Sequence, residues 1–348
     1  MKNIKHTALL DFLNRSLQKV GVGESYAKNI ATGLVHASLR GVDSHGVRLL
    51  PHYIKGFQGG RLNLNPNYQL KQLFPAAAQF DADHAQGHDA GINAMNHAID
   101  LADENGIGFV SCTNSSHCGA LSYFALEAAK KDMIGIAMTH ATPKMKSANG
   151  VRAFFGTNPI CFAAPLSDES PMCYDSAPTP FSFNKVRQHR ESGTQLPPYI
   201  GADDEGEMTQ DPHLTTQLLP IGDYKGFGLS MMVDIFCSLL TNMPYGKNIS
   251  NMFEDPFSEK RYLGHFFGAI RIDSFEKVDS FKSRLQNMIK DLRSEPRANE
   301  NVPIYAPGDP EKLMSEKRVE EGVPTPDNVL ESFNELATSL NVELLRDE

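Results

Sequence analysis

No run of apolar residues in this chain approaches the ~20 needed to cross a bilayer. Its opening residues, MKNIKHTALLDFLNRSLQKV, lack the layout of a signal peptide. A cytoplasmic protein with no membrane partner is therefore expected, and the opening residues read instead as an amphipathic helix. The five cysteines, at 112, 118, 161, 173 and 237, are odd in number and never fall in C-x-x-C spacing. Neither a disulfide framework nor a zinc knuckle has support, and buried thiols in a reducing compartment are the simpler expectation. No H-E-x-x-H occurs, so no catalytic metal is expected. No G-x-S-x-G elbow occurs either; GFGLS (Gly226 to Ser230) comes nearest but lies inside an apolar stretch. A G-x-G-x-x-G following a strand and a Walker A sequence are both missing, which removes the Rossmann fingerprint and the P-loop. Positive charge is in deficit: the formal net charge of -9 argues against nucleic acid or an anionic membrane as the main partner.

What is present has the make-up of a globular chain, with 41% hydrophobic and 22% charged residues over 348 positions. That length buries a substantial core and suggests about two or three domains. The first forty residues are helical in pattern, and a helix closes at Gly41. FQGGRLNLNPNYQL thickens in Gly, Asn and Pro and reads as a loop leading into a strand. From Ala76 short strands alternate with helices: AAAQFDAD, the helix GHDAGINAMNHAIDLADENG, the strand GIGFVSC, the helix ALSYFALEAAKK and the strand MIGIAM. GTNPICFAAPL, MCYDSAP and LGHFFGAIRID read as further strands. YKGFGLSMMVDIFCSLLTNMPYG (Tyr224 to Gly246) reads as one strongly apolar helix, either buried in the core or set against a second subunit. A polar helical tail follows from Phe275. The expected divisions are a helical segment 1–75, an α/β unit 76–274 and a helical segment 275–348 packing with the first.

Two histidines stand among small residues, in DSHG (Asp43 to Gly46) and SSHCG (Ser115 to Gly119). His117 falls at a strand-to-helix corner, with Ser115 or Ser116 available to cap the helix. An imidazole with a pKa of ~6.5 can give or take a proton near neutrality. Two such residues make a site only if the fold brings them together; otherwise each is a turn or cap residue. LLPIGDYKGFGLSMMVDI sets Gly222, Lys225, Gly226 and Gly228 at a helix start, where a lysine and free N–H groups favour a phosphate. An ordinary loop with a solvated lysine is the alternative.

In order and spacing these pieces resemble the malate/L-lactate dehydrogenase family of nicotinamide oxidoreductases that lack a Rossmann fold. The matching stretches are SHG at 44–46, NSSHCGALSYF at 114–124, FFGTNPICFAAP at 154–165, LLPIGDYKGFGLSMMVDI at 218–235, LGHFFGAI at 263–270 and PGDPE at 307–311. The resemblance implies an α/β fold: a cofactor domain with its own mixed sheet, completed by a helical domain from both chain ends. It implies NAD or NADP as cofactor, a homodimer, and a small 2-hydroxy acid interconverted with its 2-oxo acid. By the same resemblance His117 is the proton-transfer residue and His45 a second active-site histidine. Ser44 and Asn158 line the substrate pocket, while Asp175, Ser176, Ala177, Lys225, Gly308 and Asp309 contact the cofactor. Relatives commonly place arginine four residues after the histidine of SHG, where this chain has Leu49. Arg48, one residue earlier, is then the candidate for the substrate carboxylate. Two further departures are KSANG (Lys146 to Gly150) before GTNP, and DSAPT (Asp175 to Thr179), in which Pro178 removes a backbone donor. The alternatives to a hydroxy-acid dehydrogenase are a cyclic imino acid reductase and a non-catalytic metabolite-binding relative.

Overall fold

The computed structural model describes residues 1–345. A short strand, β1 (Lys2–Ile4), leads into α1 (His6–Lys19) and α2 (Glu24–Leu39). Along α1, Leu9, Phe12, Leu13 and Leu17 recur at helical spacing and are buried together. Two 3₁₀ turns, Asp43–His45 and Val47–Leu49, then carry the chain into α3 (Leu50–Gln58). The Gly- and Asn-rich stretch that follows stays irregular up to β2 (Gln69–Phe74) and β3 (Ala77–Asp81).

Alternation begins there, as the pattern predicts. α4 (Gly87–Asn105) joins β3 to β4 (Ile107–Ser115), which pair in parallel and so need a crossover. α5 (Ser122–Ala129) joins β4 to β5 (Met133–Thr139). Next come β6 (Met145–Lys146), β7 (Ala153–Phe155), β8 (Ile160–Ala164) and β9 (Met172–Ser176). α6 (Phe183–Ser192) precedes three two-residue strands, β10 (Gly201–Ala202), β11 (Met208–Thr209) and β12 (Gln217–Leu218). The chain closes with α7 (Tyr224–Asp234), β13 (Leu263–Arg271), α8 (Val278–Ser294), α9 (Asp309–Glu321), β14 (Val323–Thr325) and α10 (Asp327–Leu340).

The main sheet has seven strands in the order β2-β3-β4-β13-β5-β8-β9. β13 runs antiparallel between β4 and β5, so those two point the same way without touching. β8 runs antiparallel to β5, and β9 to β8. This mixed order is not that of a doubly wound parallel sheet, in keeping with the missing glycine fingerprint. It also gathers distant residues. The C-terminal ends of β3, β4, β5 and β9 meet the N-terminal ends of β8 and β13 at one edge of the sheet. β6, β7, β10, β11 and β12 form a smaller five-stranded sheet.

One continuous core joins the helices of both chain ends to the sheet and includes the fully buried Phe12, Phe80, Phe124, Phe267 and Phe333. β14 pairs antiparallel with β1, and the rings of Phe12 and Phe333 lie 5.3 Å apart, fastening α10 to α1. α8 behaves differently from α9 and α10: its Leu285 and Ile289 pack on Leu166 and Met172, beside β8 and β9.

The stretch from Tyr224 to Gly246 departs from expectation. The α-helix ends at Asp234 and continues as a π-helical turn, Ile235–Leu239. It is not a buried core helix. α7 buries Gly226, Ser230, Val233 and Asp234, while Leu229, Met231, Met232, Ile235, Leu239 and Leu240 face outward. A helix apolar on every side carries no signal for which side turns inward. Here the small and polar side wins, because Ser230 and Asp234 bond to residues of the loop before β8.

Candidate active site

His117 follows the last residues of β4, at the sheet edge where the strand ends converge. The corner is shaped by Gly119, whose φ of +72° is left-handed and whose missing side chain lets the His88 ring approach; a Cβ there would lie 2.3 Å from Nε2 of His88. Neither Ser115 nor Ser116 caps α5, contrary to the expected cap. Asp175 does, accepting the Ser122 N–H at 2.8 Å from across the sheet. The serines instead hold a buried histidine: Nε2 of His265 bonds Ser115 Oγ at 2.9 Å and Ser116 O at 3.1 Å.

The Tyr53 hydroxyl, from α3, bonds Nδ1 of His117 at 2.7 Å, and Gln86 donates to the His117 carbonyl at 3.0 Å. Among the described residues, Nε2 of His117 has no partner, so this nitrogen is free for a ligand. Burial holds the His117 pKa well below the usual histidine value, and the neighbouring His45, His88 and Arg261 push in the same direction. Burial drives the Tyr53 pKa upward, so its phenol keeps its proton. The rings of His45 and His117 stack at 5.5 Å with 22° between planes. Ser44 Oγ bonds Nδ1 of His45 at 2.8 Å. The 3₁₀ turn bearing both is pinned by Asp43, which pairs with Arg318 of α9 at 2.6 Å. The two histidines, 72 positions apart in the chain, therefore do form one site.

Two adjoining cavities open at this edge and share Ser44, His45 and Gly119 as a common wall. The first, of about 180 Å³, is lined by His117, Leu49, Thr142 and Arg261. The second, of about 300 Å³, is lined by Asp175, Ser176, Ala177, Arg40 and Glu311. Of the expected site residues, His117, His45 and Ser44 thus border the smaller cavity, and Asp175 to Ala177 the larger. Burial raises the Asp175 pKa, opposed by the bonds from Ser122.

Five expected residues sit elsewhere. Arg48 is exposed and lines neither cavity; one residue of register hands the wall to Leu49. Asn158 is wholly buried with its amide engaged, donating to Ser230 O at 3.0 Å and accepting from Ala141 N–H at 3.1 Å. It braces the loop behind the site and does not face the histidines. Asp309 bonds Arg293 at 2.6 and 2.9 Å and the Ala306 N–H at 2.8 Å, which turns its carboxylate away from the larger cavity. Gly308 lies against β9 at φ +92°, where a Cβ would stand 2.7 Å from the Cys173 carbonyl oxygen. Lys225 is exposed in the first turn of α7, outside both walls. That turn is tied to the segment after Ala177 by the Ile221 N–H, which donates to Pro178 O at 3.0 Å.

Three further residues beside the site were not singled out by the sequence. Tyr53 reads as an ordinary apolar position of α3. Arg261 follows two charged residues, Glu259 and Lys260, ahead of a strand. Arg40 closes the helix before DSHG, and that proximity was the one available clue. Among the described residues Arg40 makes no hydrogen bond or ion pair, and its Nε is buried.

Comparison with known proteins identifies the family and the fold. The family profile described as malate/L-lactate dehydrogenase matches residues 4–334. The malate dehydrogenase of Pyrococcus abyssi is 34% identical over 345 residues, covering 96% of this chain and 94% of that one. The ureidoglycolate dehydrogenase (NAD(+)) of Escherichia coli K12 is 31% identical over 326 residues, covering 94% and 93%. The solved malate dehydrogenase of Pyrococcus horikoshii OT3 superposes with a TM-score of 0.90 at 34% identity, over 99% of this chain and 97% of that one.

Proposed function

The chain belongs to the malate/L-lactate dehydrogenase family, a family of hydroxy-acid oxidoreductases, and from that premise we propose that it interconverts a small 2-hydroxy acid and its 2-oxo acid with NAD or NADP. The observation that carries this reading is the free Nε2 of His117. It lies on the smaller cavity, beside a larger one that suits a dinucleotide. The bound nicotinamide would supply the hydride, or accept it in reverse.

The proton is the protein's share of the reaction. Toward the hydroxy acid, His117 as imidazolium donates from Nε2 to the carbonyl oxygen; toward the oxo acid, neutral His117 accepts there. In both forms Nδ1 carries a hydrogen, for which the Tyr53 oxygen is the acceptor. The proton is thereby confined to the nitrogen that faces the ligand, as a triad aspartate confines its histidine. A lowered pKa leaves His117 neutral at pH 7, ready as a base, and makes its imidazolium a strong acid. His45, stacked behind His117 and oriented by Ser44, completes the wall on the substrate side.

For the cofactor, Asp175, Ser176 and Ala177 form the larger cavity, and the unpartnered Arg40 guanidinium suits an anionic diphosphate. Lys225, exposed outside the walls in the first turn of α7, would meet a cofactor phosphate that extends beyond them, while Gly308, packed on the Cys173 carbonyl, and Asp309 support the wall from behind. The outward apolar side chains around Met232 and Leu239 are the surface on which a homodimer forms. No helix of the described residues is long and apolar enough to cross a membrane.

The test is nicotinamide absorbance with NADH and NADPH in parallel, against a panel of 2-oxo acids and cyclic imino acids. Turnover of a 2-oxo acid is expected. Turnover of imines alone would replace the reading with an imine reductase, and none at all would leave a binding protein.

A further inference from the structure

The hydroxy-acid reading requires a partner for the substrate's carboxylate, and the exposed Arg48 does not meet the cavity. We propose that Arg261, from the segment just before β13, receives that carboxylate and so makes the site selective for anionic substrates. This rests on the assignment of the cavity beside His117 to the substrate.

Arg261 is only 4% exposed, yet it lines the smaller cavity. Its Nε donates to Ser250 Oγ at 2.7 Å, and its Nη2 donates to Ser250 O at 3.0 Å and Thr142 Oγ1 at 3.3 Å. These bonds fix the plane of the guanidinium. Nη1 has no partner among the described residues, so its two N–H groups are left for a ligand.

The charge is equally unanswered. Among the described residues Arg261 makes no ion pair, whereas the buried Arg318 pairs with Asp43. Arg61, equally buried, donates to the carbonyls of Met252, Asp255, Pro256 and Glu259. Burial lowers the Arg261 pKa to about 10, with the Arg61 charge adding to the effect and Asp255 opposing it. A buried guanidinium without a counter-ion is costly, and an arriving carboxylate removes that cost. The other cations lining the cavity, Lys144 and Arg187, lie over the ring of Phe183 and are less enclosed. The Arg261 charge also disfavours protonation of His117. An anion on Arg261 weakens that repulsion, so substrate binding and proton uptake at the catalytic nitrogen go together.

The experiment titrates the cofactor-loaded enzyme by calorimetry with oxamate, an unreactive 2-oxo carboxylate isostere, and with its neutral analogue oxamide. Oxamate should bind the wild type more tightly than oxamide does. Arg261→Gln should weaken oxamate by roughly 10- to 150-fold, the span expected for hydrogen bonds to a charged group, and leave oxamide unchanged. Arg261→Lys keeps the charge but loses the planar fork, and should fall in between; it decides the matter if the glutamine variant does not fold. Wild-type affinity in both variants, equal binding of oxamate and oxamide, or no oxamate binding at all would overturn the proposal. So would a loss confined to Arg48→Gln. Reduction assays separate the two claims: binding without turnover of any 2-oxo acid defeats the proposed function and not the anchor. Turnover with an unchanged KM in Arg261→Gln defeats the anchor alone.

Discussion

Replacing Tyr53 by phenylalanine takes one hydroxyl from the ring that faces His117 and leaves its packing against His88 and His117 in place. The bond removed is 2.7 Å long, and Tyr53 is 2% exposed, so water has little access to replace it. An unsatisfied buried donor costs about 1–3 kcal/mol. If that loss falls on the transition state it lowers the rate by roughly 5- to 150-fold. The cost is unequal between protonation states. The imidazolium makes the stronger, charge-assisted bond to the tyrosine oxygen, so it loses more than the neutral ring does. The His117 pKa, already held down by burial, should therefore fall further in Tyr53→Phe. The sign follows for each direction. Reduction of the oxo acid needs the imidazolium and declines as pH rises through this pKa, so its decline should move to lower pH. Oxidation needs neutral His117 and rises through the same pKa, so its rise should move to lower pH too. The assay is kcat/KM against pH in both directions, with cofactor affinity and melting temperature measured alongside. A lower melting temperature with a profile that overlays the wild type would reduce Tyr53 to a packing residue and refute the reasoning.

His117→Gln should keep the fold and cofactor affinity while lowering turnover roughly 100- to 10,000-fold, the scale of general acid–base catalysis. A larger loss in His45→Gln, measured beside it, would move the proton-transfer role to that residue. His36, His88 and His265 are pushed down to about 3, chiefly by burial. The unfolded chain therefore binds protons that the native one refuses between about pH 6.5 and 3, and stability falls with pH across that window. Each histidine contributes about 1.4 kcal/mol per pH unit there, so urea midpoints should drop from pH 7 to pH 5; a flat series would show the three to be accessible to protons. Met232→Asp with Leu239→Asp should convert a dimer to a monomer by light scattering. A monomeric, fully active wild type at micromolar concentration would remove α7 from any interface.

The alternation of short β-branched runs with helical periods was enough to read an α/β chain, because period and turn residues act within about ten positions. For the same reason the His117 corner was legible: strand, small residues and helix are contiguous. That no dinucleotide fingerprint occurs was legible too, and the sheet order agrees, since only one neighbouring pair in the seven-stranded sheet is parallel. Local pattern says less about direction. Arg48 and Leu49 are equally plausible wall residues in a string of letters, and the 3₁₀ turn after Gly46 decides which one faces the cavity.

Sequence alone determined the element types, the histidine chemistry and the absence of several catalytic motifs, because these reside in single residues and short windows. Only the tertiary structure decided what those residues meet. β13 inserts between β4 and β5 from more than a hundred positions away, bringing Arg261 to the cavity and His265 to the serines that had looked like a helix cap. Asn158 and Asp309 had the composition of ligand contacts, yet backbone groups and, for Asp309, Arg293 of α8 took up their polar atoms. A polar side chain bonds to whatever donor or acceptor folding places within 3 Å of it, and that partner is set by the packing of remote elements.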